Sequence, residues 1–264
     1  MKPNSLTKDS RSFAFVFTGG AVIGLVLSLL IFMPAQWFKS LIESKLEQRV
    51  LFHSLVGTIW EGSTRLSLSP GQGGRDLRTL GDQLTWRMNP NWDGLTIELM
   101  AHCCMLKPLV IKLVPKIEGA SVVIDAHDSV WPSQLLTGLG APWNTLNLSG
   151  NVKINSNNIH INLQKGVFHL DGQIQLTALN LGTRLTTINP LGSYQATISG
   201  GNIPQIKLNT LRGSLILDGQ GQWIQGRLRF NGVAAASSDR EKELSNLLNI
   251  IGRRSGLKSI ISIG

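Results

Sequence analysis

From residue 57 onward, apolar and polar side chains alternate with a period of two. That period suits a strand with one buried and one wetted face and excludes a helical reading of the same stretch. Leu84, Trp86 and Met88 alternate with Thr85 and Arg87, and Leu95, Ile97 and Leu99 with Thr96 and Glu98. The longest run places Leu146, Leu148, Gly150, Val152 and Ile154 on one parity, and Ile159, Ile161 and Leu163 continue it. Ile174 with Leu176, Ile206 with Leu208, Leu215 with Leu217, and Leu228 with Phe230 extend the series. Short strands broken by Gly, Asn and Asp predict a mainly β chain built on an antiparallel, curved sheet. Its wet face is rich in Asn, Gln, Ser and Thr. Ser156-Asn157-Asn158, Asp171-Gly172 and Asp218-Gly219 read as turns. Residues 69–83 read as a loop, and 129–145 as an excursion bracketed by Trp131-Pro132 and Pro142-Trp143.

The pattern before residue 52 is different. Residues 13–33, FAFVFTGGAVIGLVLSLLIFM, carry no charge, and a helix of that length matches ~30 Å of hydrocarbon. This predicts a single N-terminal transmembrane helix at 13–33 after a cytoplasmic tail at 1–12. Lys2, Lys8 and Arg11 on one side balance Lys39, Lys45 and Arg49 on the other, so basic residues alone do not set the orientation. A short tail inside and a large domain outside is the usual arrangement, which anchors the chain in a membrane with its N-terminus cytoplasmic. A cleaved signal peptide competes, but the apolar run is long for one, and MPAQW has no small-x-small site. Trp37 fits an interfacial anchor. Residues 34–51 form a candidate juxtamembrane amphipathic helix with Trp37, Phe38, Leu41 and Ile42 on one stripe, and 52–264 a β-rich domain outside the cytoplasm.

A second helix is predicted near the C-terminus. Ser238-Asp239-Arg240-Glu241 has capping-box spacing, Leu244, Leu247, Leu248 and Ile251 form a stripe, and Gly252 ends it. The stripe is read as a lid on the sheet in preference to a contact for a neighbour. Ile260 and Ile261 follow as an edge strand.

The formal net charge is +9, but the basic residues are dispersed, so no nucleic-acid partner is expected. Cys103 and Cys104 are adjacent, closer than the usual disulfide span; no bridge between them is expected, and a strand would send one inward and one outward. Among the histidines, His127 with Asp125 and Asp128 is the best local cluster, yet it lacks further ligands at metal spacing. No nucleophile elbow, phosphate loop or dinucleotide fingerprint occurs. Catalytic, cofactor-binding and metal residues are therefore all assigned as none, and no cofactor is expected.

Two phrases share wording: GTIWEG at 57–62 and GQGQWIQG at 219–226. The first resembles the opening of the type II secretion system protein N family. Pro190, Gly192 and Tyr194 fit that family's P-x-G-x-Y phrase, and GSLILDGQGQW at 213–223, RFNGVA at 229–234 and LLNIIGR at 247–253 keep its order. The resemblance implies a bitopic inner-membrane protein of Gram-negative bacteria, with its N-terminus cytoplasmic and residues 52–264 as its periplasmic domain. It further implies a non-catalytic role in moving folded periplasmic proteins across the outer membrane, with inner-membrane and periplasmic secretion components as partners. Trp37, Trp60, Trp223 and Leu247 are the candidate structural or partner-contact positions. The two tryptophans inside the phrases, Trp60 and Trp223, are expected to cover the ends of the apolar layer. The alternative is a membrane-anchored β-sheet protein that binds or transfers lipid, which would show a continuous apolar groove instead of a packed interior.

Overall fold

A computed structural model describes residues 9–74, 76–164 and 167–264. Two helices come first, α1 (Asp9–Ile31) and α2 (Gln36–Lys45). An antiparallel meander follows: β1 (Val50–Gly57), β2 (Glu61–Leu68), β3 (Arg78–Asn91), β4 (Gly94–Ala101), β5 (Leu109–Lys116) and β6 (Gly119–Ile124). β7 (His127–Pro132) leads through a 3-10 turn at Ser133–Leu139 and the short α3 (Trp143–Leu146) into a long hairpin, β8 (Ser149–Gln164) and β9 (Val167–Gly182). β10 (Gly192–Gly201), β11 (Gln205–Gly213), β12 (Leu215–Ile224) and β13 (Arg227–Ala236) continue the meander. α4 (Glu241–Ile251), β14 (Arg253–Ser255) and β15 (Lys258–Ile263) complete the described chain. All the strands join one sheet that starts at β1 and ends at β14, with β15 inserted between β13 and β14 and with β7 pairing the first half of β8.

The register explains the alternation. One rung runs Met88–Ile97–Ile111–Ile124–Ile159 across five strands. Another runs Ile154–Leu176–Ala196–Leu208–Gly219–Gly232–Ile261. The next rung over is polar throughout: Asp128–Asn155–Gln175–Thr197–Lys207–Gln220–Asn231–Ser262. One face is thus apolar and the other hydrophilic, and α2, the 133–146 segment and α4 all pack on the apolar one. Leu244, Leu247 and Leu248 are fully buried against Leu191, Tyr194, Leu215 and Ala234. A second cluster, Leu80, Ala101, Cys104 and Met105, packs with Trp131 and Leu135 beneath the 3-10 turn.

Several local expectations are corrected. Ser156-Asn157-Asn158 and Asp171-Gly172 are not turns: they face each other in mid-hairpin, where the register shifts between Asn157 and His160. Asn158 (φ 40°) and Gly172 (φ 102°) adopt left-handed backbone there, forming a bulge. The apolar parity of β8 changes from even, at Ile154, to odd, at Ile159, and the extra residue of the bulge returns both to the same face. Asp218-Gly219 lies inside β12, paired with Val233 and Gly232. The loop at 69–83 is shorter, since β3 starts at Arg78. α4 begins at Glu241, and no side chain caps it. Ser237 and Asp239 instead hydrogen-bond each other at 2.9 Å within the turn that precedes the helix. Glu241 and Glu243 supply the negative charge that its N-terminus favours.

The transmembrane expectation is also corrected. Among the described residues no helix is long and apolar enough to cross a membrane. The helical part of the 13–33 run ends at Ile31, and Met33 and Pro34 instead pair with Ile59 and Thr58 of the β1–β2 connection. The single-pass inner-membrane location, with a cytoplasmic N-terminus and a periplasmic main domain, is corrected with it. Residues 1–8 lie outside the described residues.

Because Leu247 has no exposure to solvent, Leu247→Asp places a charge in an apolar contact. We expect a loss of about 3 kcal/mol or more, read as a lower midpoint in thermal or urea denaturation. An unchanged midpoint would show that α4 is not part of the core.

Candidate interaction surfaces

The glycine-rich phrases serve aromatic rings that lie elsewhere in the sheet. Gly62 is paired with Trp86 on β3, and a Cβ at 62 would run into the Trp86 ring and the Val56 carbonyl. Gly219 in β12 lies beneath Phe230 of β13, and a Cβ there would strike the end of that ring. Gly232 has the same neighbour, with Phe230 Cε1 2.9 Å from a Cβ position. At Gly192 a Cβ would stand 2.8 Å from the Tyr194 hydroxyl. Tyr194 itself is buried and donates to the Leu215 carbonyl at 2.9 Å, and burial pushes its phenol pKa up. Each glycine gives up a side chain so that a large ring can lie flat on the sheet.

The named positions have separate surroundings. Trp60 stands in the β1–β2 connection, and its Nε1 donates to the Leu30 carbonyl in the last turn of α1 at 2.8 Å. The Ile59 amide reaches Met33 O at 3.0 Å, so this loop ties the end of α1 to the sheet. Trp37 on α2 is exposed. Trp223 is half-buried, pairs with Leu228 and donates its amide to Pro204 O at 3.0 Å. Leu247 belongs to the α4 core. The structure does not bring these four together. Trp86 and Phe230, read from the sequence only as alternating apolar strand positions, sit where the glycine phrases point; the clue to their packing was a glycine with no turn to make.

The two margins of the sheet differ. Beside β1 the chain covers itself: the Ala35 amide donates to Gly57 O at 3.2 Å, Gln36 Nε2 to Leu55 O at 3.2 Å, and the Phe52 amide to Glu43 Oε1 at 2.7 Å. At the other margin, β14 pairs only with Lys258–Ile260 of β15. Among the described strands none pairs with Ile261–Ile263 on that side. Arg253, Arg254 and Lys258 lie at this margin, and Arg254 Nη1 is buried without a hydrogen-bond partner among the described residues.

Asp125, His127 and Asp128 do not converge. Asp125 pairs with Lys112 at 3.0 Å, whereas Asp128 accepts from Asn155 at 2.8 Å and lies 3.5 Å from Lys153. Among the described residues no group of His, Cys, Asp and Glu is placed to hold a metal. Cys103 and Cys104 form a disulfide, contrary to expectation. They lie in a turn after β4 and not in a strand, so their side chains are not forced to opposite faces. Cys104 is buried and Cys103 exposed. Asp82 holds this turn by accepting from the Cys103 amide at 2.9 Å, and it accepts from the Gln83 amide at 2.8 Å.

Residues 48–259 match the family model of the type II secretion system (T2SS), protein N. The resemblance carried by the glycine phrases is thereby borne out over most of the chain. No curated protein and no solved structure matches it.

Gly219→Ala is expected to cost about 1–3 kcal/mol by forcing Phe230 off the sheet. In a double-mutant cycle Phe230→Leu should recover part of that cost; strict additivity would mean that the ring and the glycine do not share space. The amide hydrogen bonds from Gln83 and Cys103 hold the Asp82 carboxyl below its ordinary value. A lowered folded pKa contributes stability that is complete above the unfolded value of about 3.9 and is lost as pH falls through the folded value. Asp82→Asn should therefore flatten the acid limb of a melting-temperature profile. An unaltered limb would show that the carboxylate does not support the turn.

Proposed function

We propose that this chain, which belongs to the type II secretion system protein N family, is an accessory component that holds other parts of the secretion apparatus by the β14–β15 margin. The family is structural and not catalytic, and its context is interaction with other inner-membrane or periplasmic secretion components. The observation that carries the reading is the family match together with the asymmetry of the sheet margins. The β1 margin is closed by residues 35–43, whereas Ile261–Ile263 present a strand edge among the described residues. An unpaired edge accepts an added strand through backbone hydrogen bonds.

Charge narrows the partner. Arg253 and Lys258 stand exposed and make this margin basic. An extended segment carrying a carboxylate would add backbone pairing and meet these charges at once. α2, with Trp37 and Leu41 exposed, is a second contact surface.

The test is photo-crosslinking in cells from positions 41, 261 and 263, followed by identification of the captured proteins. Capture of other secretion components from 261 and 263, reduced by Arg253→Glu at unchanged melting temperature, is the expected result. Deletion of the chain should leave secreted substrates in the periplasm. Crosslinking that never yields a secretion component, with secretion intact, would overturn the reading.

A further inference from the structure

The sheet interior is not filled everywhere. Beneath α2 lies a cavity of about 550 Å³, walled by Phe38 and Ile42 from the helix, Leu66 from β2, and Leu84, Trp86 and Met88 from β3. That volume is in the range of small-ligand pockets. Its polar lining groups are nearly all engaged. Thr64 lines it but donates its hydroxyl to His53 O at 3.0 Å. Trp86 Nε1 donates to Ile59 O at 3.1 Å. Water entering such a space would find few partners, and an empty space forfeits dispersion contacts around its whole wall.

We infer that this cavity binds one long acyl chain bearing a carboxylate, with the tail along β3 and the head at Lys39. Three observations select that occupant. Leu84, Trp86 and Met88 face the cavity from one strand and extend it over roughly 13 Å, a linear shape that suits a chain better than a compact ring system. Lys39 is the charged residue lining the cavity. Its partner Glu43 lies 3.9 Å away with a side chain that is 17% exposed against 41% for Lys39, and Glu43 is engaged by the Phe52 amide. The ammonium is thus the more accessible charge, and it complements an anionic head. The α2 wall lies before the residues that match the family model, and the strand walls lie within them.

The test titrates the full-length chain, stripped of lipid, with cis-parinaric acid and follows its fluorescence. One saturable site is expected. Leu66→Trp, which fills the cavity, should weaken binding at least tenfold while the melting temperature holds or rises. Lys39→Glu should weaken parinarate several-fold and leave its methyl ester unaffected. Equal binding by wild type and Leu66→Trp would place the probe elsewhere, for example on the exposed side chains of α1, and overturn the proposal. Absence of saturable binding would do the same. Displacement by a two-chain phospholipid but not by stearate would rule out a single-chain occupant, and an unchanged Lys39→Glu affinity for parinarate would rule out the carboxylate anchor.

Discussion

The structure depends on keeping two faces separate across every strand of one sheet. A shift of one residue in any pairing would carry a row of Ile, Leu and Phe into water and a row of Asn, Gln and Lys into the core. The polar rung from Asp128 to Ser262 and the apolar rung from Ile154 to Ile261 run side by side over the same strands. The bulge between Asn157 and His160 is needed for the same reason. It lets the first half of β8 pair with β7 and the second half with β6 while both present their apolar residues to one side.

Glycine and aromatic residues then fit the apolar face to what covers it. Trp86 over Gly62, Phe230 over Gly219 and Gly232, and Tyr194 over Gly192 recur at the motifs that mark the family. A wide ring supplies apolar area where a Cβ would push it away from the sheet. The recurring wording at the two ends of the domain is therefore a packing solution used more than once, and no ligand is required to explain it.

The helices use the shared face differently. α4 drives Leu244, Leu247 and Leu248 into complete burial, whereas α2 leaves a cavity beneath Phe38 and Ile42. The amphipathic stripes of the two are alike in sequence. The connections set the difference. α2 is fixed by backbone bonds of Met33 and Ala35 and the Gln36 side chain to β1 and the loop after it, and by Glu43 to Phe52, which hold it at the rim. α4 is drawn inward by β14 and β15, which follow it directly, with β15 pairing both β14 and β13.

Much of this was legible beforehand. The alternation of Leu84, Trp86 and Met88, or of Leu215 and Leu217, is a local property because successive side chains on a strand must point to opposite faces, and it was enough for an antiparallel, mainly β fold. The ordered phrases were enough for the family, and the parity change between Ile154 and Ile159 already contained the bulge. An apolar run such as 13–33 expresses composition, and it did not establish a membrane span. Contacts between distant strands were beyond reach. That Gly219 serves Phe230, that Trp60 holds the end of α1, that adjacent cysteines bridge in a turn, and that β1 is covered while Ile261–Ile263 stay open all follow from strand register and chain connection. Those are set by which residues meet after the sheet has closed its pairings, and spacing along the chain does not carry that information.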